Sequence, residues 1–174
     1  MEYSIREVAK IIGSKSNLLR EDTITMLLTD SRTVSFPEQS LFFALRTKTN
    51  DGHKYIPELY KLRVRNFVVS EMPPSTDMYA DANFLLVKDP LRALQQLAAH
   101  HRKKFDIPVI GITGSNGKTI VKEFLYQLLH TEFNIVRSPR SFNSQLGVPL
   151  SVWQINPKHT LGIFEAGISQ PDEM

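Results

Sequence analysis

The chain has 174 residues, 41% apolar and 22% charged, with a formal net charge of +3. This fits one domain or two small ones of ordinary globular composition, and a charge that suits phosphorylated ligands without requiring nucleic acid. Cysteine is absent, which excludes disulfides and thiolate metal sites; no run reaches the roughly 20 apolar residues of a membrane span, and the N-terminal MEYSIREVAK lacks a signal core, so a cytoplasmic protein is expected.

In chain order, Ser4 and Glu7 stand at capping-box spacing, and Ile5, Val8, Ile11 and Ile12 share one face, which predicts a short helix over 4–12. TITMLLT (23–29) and SLFFAL (40–45) read as strands, and a helix is expected near 56–62. NFVVSE and NFLLVKD are short apolar runs between polar breaks, hence buried strands. In DPLRALQQLAAHHRKKF, Asp89 is placed as N-cap and Pro90 at the first helical position, with Leu91, Leu94, Leu97 and Ala98 on one face. Its basic end, HHRKKF, reads as a solvated last turn where cations suit the helix dipole, not as a nucleic-acid patch. The adjacent His100 and His101 have no partner at ligand spacing, and no metal is assigned to them.

The pattern then restarts. IPVIGIT reads as a buried strand, 118–130 as a helix with Val121, Phe124, Leu125 and Leu128 inside, and FNIVRS and LGIFEAG as further strands. Strand, loop, helix and strand in that order predict an α/β fold with a parallel sheet. The boundary is placed at 105–108, giving a small α/β domain over 1–104 and the first part of a second over 105–174. The second segment offers three strands and two helices and reaches QPDEM at the start of another helix, so a longer protein is expected.

Between strand and helix lies Thr113-Gly114-Ser115-Asn116-Gly117-Lys118-Thr119. Phosphate binding needs inward-pointing backbone N–H groups with a helix N-terminus behind them, a lysine for the terminal phosphates and a hydroxyl for magnesium. The usual phosphate-loop spelling puts its first glycine where Ile112 stands, yet the strand–loop–helix context is the one the motif requires. Asn116 is read either as lining the loop or as supplying a left-handed turn.

TGSNGKT resembles the nucleotide loop of the Mur ligase family and of its relative folylpolyglutamate synthetase, which share the missing first glycine. TDSRTVSFPEQSLFFAL resembles the Asp-Ser-Arg segment of the first, UDP-sugar-binding Mur ligase domain, NDGHKYI its Asp-Gly-His motif, and SFNSQLGVPLSV the segment after the second central strand. FEAGISQPDEM resembles the Glu-x-Gly segment of family members that join D-alanyl-D-alanine to UDP-N-acetylmuramoyl-tripeptide. With VRSPRSFNSQLGVPLSVWQ it looks closest to a form fused to an alanine racemase domain. Two positions depart from the family pattern: Thr47 where glycine is frequent, and Pro171-Asp172-Glu173 in place of Pro-Gly-Glu.

The resemblance implies a UDP-sugar-binding domain followed by the incomplete start of a P-loop ATP-binding domain. It further implies an ATP- and Mg2+-dependent amide ligase of peptidoglycan precursor synthesis working through an acyl phosphate, with the 174 residues inactive by themselves. Gly114, Ser115, Asn116, Gly117, Lys118 and Thr119 would hold ATP, with Lys118 on the β- and γ-phosphates. Thr119 and Glu165 would hold the metal, with Lys118 and Glu165 as the catalytic pair. Ser141 and Asn143 would touch the substrate or a metal-bound phosphate; otherwise they cap the helix of QLGVPLSVW. Ser31, Arg32, Asp51, Gly52 and His53 would line the UDP site; otherwise Asp30-Ser31-Arg32 is a turn with an internal ion pair and Asp51-Gly52 a plain turn. Trp153 is placed in the core. Two other functions stay open: another ATP-dependent Mur or folylpolyglutamate-type ligase, which the Asp-Ser-Arg and Asp-Gly-His segments disfavour in the folate case, and a non-catalytic UDP-sugar or nucleotide-binding module.

Overall fold

The structure is a computed structural model and describes residues 1–16 and 18–167. The helix start expected at QPDEM lies outside the described residues. The chain divides into two compact units, Met1–Leu97 and Ala98–Met174.

In the first unit, Ser4 caps α1 (Ile5–Ile11) as expected. Its hydroxyl accepts the Glu7 N–H at 3.1 Å, and the Glu7 carboxylate accepts the Ser4 N–H at 3.0 Å. β1 (Tyr3–Ser4) pairs antiparallel with β2 (Thr23–Ile24). β3 (Met26–Leu28), β4 (Ser40–Phe43), β5 (Asn66–Val69) and β6 (Asn83–Leu86) form a parallel sheet in sequential order. The single strand expected over 23–29 is therefore two strands in two sheets. Thr25 marks the change of partner: its N–H donates to Gln39 O at 3.0 Å and its hydroxyl to Gln39 Oε1 at 2.8 Å. A run of apolar residues carries no mark of a switch from an antiparallel to a parallel neighbour.

The parallel register stacks like on like. Phe42, Phe67 and Phe84 are successive partners across β4, β5 and β6. Their rings meet edge-on at 6.4 Å and then stacked at 5.3 Å, the aromatic geometry that adds to plain burial. α2 (Ile56–Lys61) lays Ile56 and Leu59 on that face. Asn66 and Asn83, which open β5 and β6, are buried and mutually bonded at 2.8 Å. Asn83 also accepts the Leu19 N–H at 2.8 Å, and Asn66 donates to Asp22 at 3.0 Å. Their amides thus find the partners that buried polar groups require.

α3 (Pro90–Lys103) starts as predicted, with Asp89 accepting the Leu91 N–H at 2.8 Å. The division between the two units falls inside it. Its basic end is only partly solvated. His100, Lys103 and Lys104 are exposed, whereas His101 is buried, with Nε2 2.9 Å from the Ile155 carbonyl and its ring against Trp153 and Phe105. Arg102 donates to the carbonyls of Phe105 (2.6 Å) and Ile107 (2.9 Å). Trp153, expected in the core, is only partly buried and covers the His101 ring.

The second unit holds β7 (Val109–Ile112), α4 (Lys118–Leu129), β8 (Ile135–Arg137), α5 (Gly147–Val152) and β9 (Leu161–Glu165). The three strands are parallel in the order β7–β9–β8. β9 is central and wholly buried; β7, expected to be buried, is an edge among the described strands, with Val109 and Gly111 exposed. The expected inner face of α4 is also corrected. Val121, Phe124 and Leu128 are 46%, 60% and 72% exposed, while Leu125 and Leu129 pack on Ile112, Leu161 and Ile163. The inward stripe runs Lys118, Lys122, Leu125, Leu129, and a periodicity judged by apolarity alone passes over it because Lys122 belongs to it. Among the described residues no helix is long and apolar enough to cross a membrane.

Candidate functional site

β7 leads through an exposed loop, 113–117, into the N-terminus of α4. Gly114 and Gly117 have φ of 134° and 79°, and Gly117 is the N-cap of the helix. Both values lie where side chains are strongly disfavoured, so the two glycines supply the turn. Asn116 is not left-handed, which removes that reading of it. With no side chain capping α4, its first N–H groups and positive dipole end face the loop, the arrangement that attracts an anion. Lys118 folds back across the loop, its Nζ donating to the Gly114 carbonyl at 2.5 Å.

Glu165 ends β9, the strand beside β7, and is fully buried. One carboxylate oxygen, Oε2, accepts the Thr119 hydroxyl at 3.1 Å. The other, Oε1, lies 2.9 Å from the Nζ of Lys122, an ion-pair distance, but off the direction a hydrogen bond needs, so it has a Coulombic partner and no directional one. Lys122 is itself fully buried and donates to the carbonyls of Ser138 (2.9 Å) and Arg140. Ser138 Oγ in turn accepts the Glu165 N–H at 3.0 Å. Lys122 and Ser138 escape sequence reasoning; the available signal for Lys122 is its place three and four residues after Thr119 and Lys118, on their side of the helix.

Asn143 touches this end of β9 through its carbonyl, which accepts the Gly167 N–H at 2.6 Å. A Cβ on Gly167 would fall 2.9 Å from that oxygen, so the glycine of Glu-x-Gly is required by close approach. Neither Asn143 nor Ser141 caps α5. The N-cap of α5 is Leu146, with no side-chain cap; the Ser144 hydroxyl accepts the Gly147 N–H at 3.1 Å, and Ser141 is exposed. Thr119 Oγ and the Glu165 carboxylate are hard oxygen donors side by side. Among the described residues no three His, Cys, Asp or Glu side chains converge. A cation at this pair would therefore draw further ligands from phosphate and water, as magnesium does.

In the first unit the residues picked from the sequence follow β3 and β4. Asp30 caps a 3-10 turn over Ser31–Thr33 and binds Arg32 through both oxygens, at 2.9 and 2.5 Å, which realises the internal ion pair. That bond, with the Arg32 N–H, holds the Asp30 carboxyl down at about 2. Ser31 is half-buried beside it. Asp51 accepts the His53 N–H at 3.0 Å and meets His53 Nδ1 at 2.6 Å. The Ser70 N–H donates to His53 Nε2 at 3.1 Å, so Nε2 is unprotonated and Nδ1 carries the hydrogen given to Asp51. Arg46, unremarked in the sequence, bridges Asp51 and Glu71 at 2.8 and 2.7 Å. The Asp51 carboxyl is drawn to about 2, first by the His53 N–H. Gly52 has ordinary φ, and its role is space: a Cβ would lie 2.8 Å from Leu45 N. Thr47, the departure from the family pattern, closes its own turn, its hydroxyl accepting the Asn50 N–H at 3.0 Å. Arg32 follows β3, and the mutually bonded Arg46, Asp51 and His53 follow β4, so both lie past the carboxyl ends of neighbouring parallel strands, where open α/β sheets take ligands.

A parallel sheet, a glycine-bent loop entering a bare helix N-terminus and a carboxylate on the adjacent strand end make the second unit an α/β protein of the phosphate-loop class. The profile described as "Mur ligase family, catalytic domain" matches residues 23–102, and "Mur ligase middle domain" matches residues 112–173. The chain belongs to the Mur ligase family.

Its similar relatives include the UDP-N-acetylmuramoyl-tripeptide–D-alanyl-D-alanine ligase of Treponema pallidum, 38% identical over 83% of this chain and 33% of the relative. The enzyme of the same name from Bacillus subtilis is 28% identical over 100% of this chain and 38% of its own. Among solved structures, MurF ligase from Thermotoga maritima in complex with ADP matches with a TM-score of 0.72 and 27% identity, over 84% of this chain and 33% of that one. A MurF structure from Acinetobacter baumannii superposes with a TM-score of 0.85 at 24% identity over 99% of this chain, a likeness of fold. The chain spans 33% to 38% of the length of these curated relatives.

Proposed function

We propose that the chain is part of a cytoplasmic ATP-dependent ligase that adds D-alanyl-D-alanine to UDP-N-acetylmuramoyl-tripeptide in peptidoglycan precursor synthesis. In this reading residues 1–104 take the UDP substrate and 105–174 begin the ATP domain. The observation that carries it is the meeting of Thr119 and Glu165 at 3.1 Å directly behind the loop. The names of the relatives supply the substrates.

A carboxylate resists attack by an amine until it is activated, and an acyl phosphate formed with ATP supplies that activation. The chain's part is positioning and charge neutralisation. The N–H groups of 114–119 and the α4 dipole hold phosphate oxygens, with Ser115 and Asn116 lining the loop. Lys118 leaves the Gly114 carbonyl to meet the β- and γ-phosphates and offsets charge on the transferred group. Thr119 and Glu165 fit Mg2+, since both offer hard oxygens and Oε2 is the carboxylate oxygen that stands beside the Thr119 hydroxyl; the ion would neutralise phosphate charge. Asn143, beside Gly167, and Ser141 face the acyl-bearing substrate. In the first unit Ser31, Arg32, Asp51, Gly52 and His53 form the UDP site, with Arg32 exchanging Asp30 for a pyrophosphate oxygen pair.

The test is Lys118→Ala in the full-length protein. ATP affinity should fall at least tenfold while UDP-substrate affinity stays within twofold. Equal loss of both would make Lys118 structural and remove the phosphate-loop reading.

A further inference from the structure

Lys122 has no solvent exposure, so it cannot itself touch a phosphate. Burying an ammonium is costly, and such a group persists only where several oxygens replace its water. Lys122 has four: the Ser138 carbonyl at 2.9 Å, the Arg140 carbonyl, Glu165 Oε1 at 2.9 Å and Glu123 Oε1 at 3.4 Å. These lie on α4, on the turn after β8 and at the end of β9. Arg140, whose carbonyl Lys122 holds, has a left-handed backbone, φ 49°, rare outside glycine. The same turn runs on to Ser141 and Asn143. Ser138 adds a second tie through the Glu165 N–H.

We infer that Lys122 is a positioning residue for the cation pair. By holding Oε1 it fixes the Glu165 carboxylate with Oε2 on Thr119. By holding the carbonyls of residues 138 and 140 it sets the turn that carries Ser141 and Asn143 beside the same strand end. The inference rests on the proposed nucleotide and Mg2+ reading and adds to it a residue buried out of reach of any ligand. Without Lys122 the buried carboxylate loses both its ionic partner and its fixed orientation, and the two donors are no longer presented together.

The experiment uses the full chain and a non-hydrolysable ATP analogue, with affinity measured by calorimetry in EDTA and across a Mg2+ titration. Lys122→Gln keeps a donor for the carbonyls and removes the ammonium; Lys122→Met removes both. In each folded variant the Mg2+ concentration for half-maximal nucleotide binding should rise at least tenfold, with affinity in EDTA changed less than threefold. A Mg2+ requirement that is unchanged or lower in a folded variant overturns the inference. Unfolding of both variants at 25 °C overturns it too, since Lys122 is then a stability residue. A wild type whose nucleotide binding is indifferent to Mg2+ overturns the underlying reading instead, and the inference with it.

Discussion

Replacing Gly52 by alanine tests whether the Asp51-Gly52-His53 segment is held by space or by turn chemistry. The added Cβ would lie 2.8 Å from Leu45 N, 2.9 Å from Leu45 O and 3.0 Å from Ala44 C, all backbone atoms. Carbon contacts settle near 3.5–4.0 Å, so the two segments must part by roughly half an ångström or more. That movement stretches the bond from the Gly52 N–H to Leu45 O, now 2.7 Å. Overpacking of this kind costs about 1–3 kcal/mol, and weakening the bond adds about 0.5–1 kcal/mol. Restricting the unfolded chain returns about 0.4–1 kcal/mol, because φ at Gly52 is one alanine tolerates. A net loss of about 1–3 kcal/mol follows, read from urea unfolding by circular dichroism. Gly111→Ala is the control: nothing lies within 4 Å of its Cβ position and its φ is ordinary, so it should be neutral or slightly stabilising. A Gly52→Ala protein as stable as wild type refutes the steric argument.

His53→Ala strands the Ser70 N–H and should cost about 1–3 kcal/mol in the same assay. By NMR titration the Asp51 carboxyl should nonetheless stay well below the usual range, because its largest cause is the backbone N–H of residue 53; a return to an ordinary value would contradict that assignment. Burial lowers the pKa of His101 and His159. The folded protein therefore takes up these protons at lower pH than the unfolded chain, which does so below about 6.5, so stability falls as pH drops through that value and is unaffected well above it. Melting temperatures at pH 7.5 and 5.5 should diverge less in His101→Gln than in wild type; equal slopes would show that His101 does not contribute. Asp30 and Asp51, held near 2, act in the opposite window, stabilising above the ordinary carboxylate range and losing that contribution only in stronger acid.

Element order was readable because caps and breaks carry local signals: Ser4 with Glu7, Asp89 before Pro90, and glycines at 114 and 117 all act within a few residues. What the pattern concealed is set at a distance. Thr25 divides one apolar run because its neighbours belong to two sheets. Lys122 turns inward because oxygens from residues 138, 140 and 165 await it, and no periodicity of apolar residues reports a buried cation. His101 turns inward for the Ile155 carbonyl, out of a run that looks uniformly solvated. In the candidate site, Lys118, Thr119 and Glu165 were legible as motif positions. Arg46, Glu71, Ser70 and Ser138 were not, because each matters only through a partner brought beside it by the sheet.

The strand order β7–β9–β8 has a consequence for how the second unit comes into being. β7 and β8 do not pair with each other; each pairs only with β9, and Val109 meets Gly162. At a synthesis rate of about 5–20 residues per second, β7 waits roughly 3–10 seconds for the strand that completes it. Throughout that interval the glycine loop and α4 exist without the carboxylate that Lys122 and Thr119 hold. β9 is thus the keystone of the three described strands: it alone ties β7 to β8, and its arrival brings the glycine loop and the Glu165 carboxylate together in the same step.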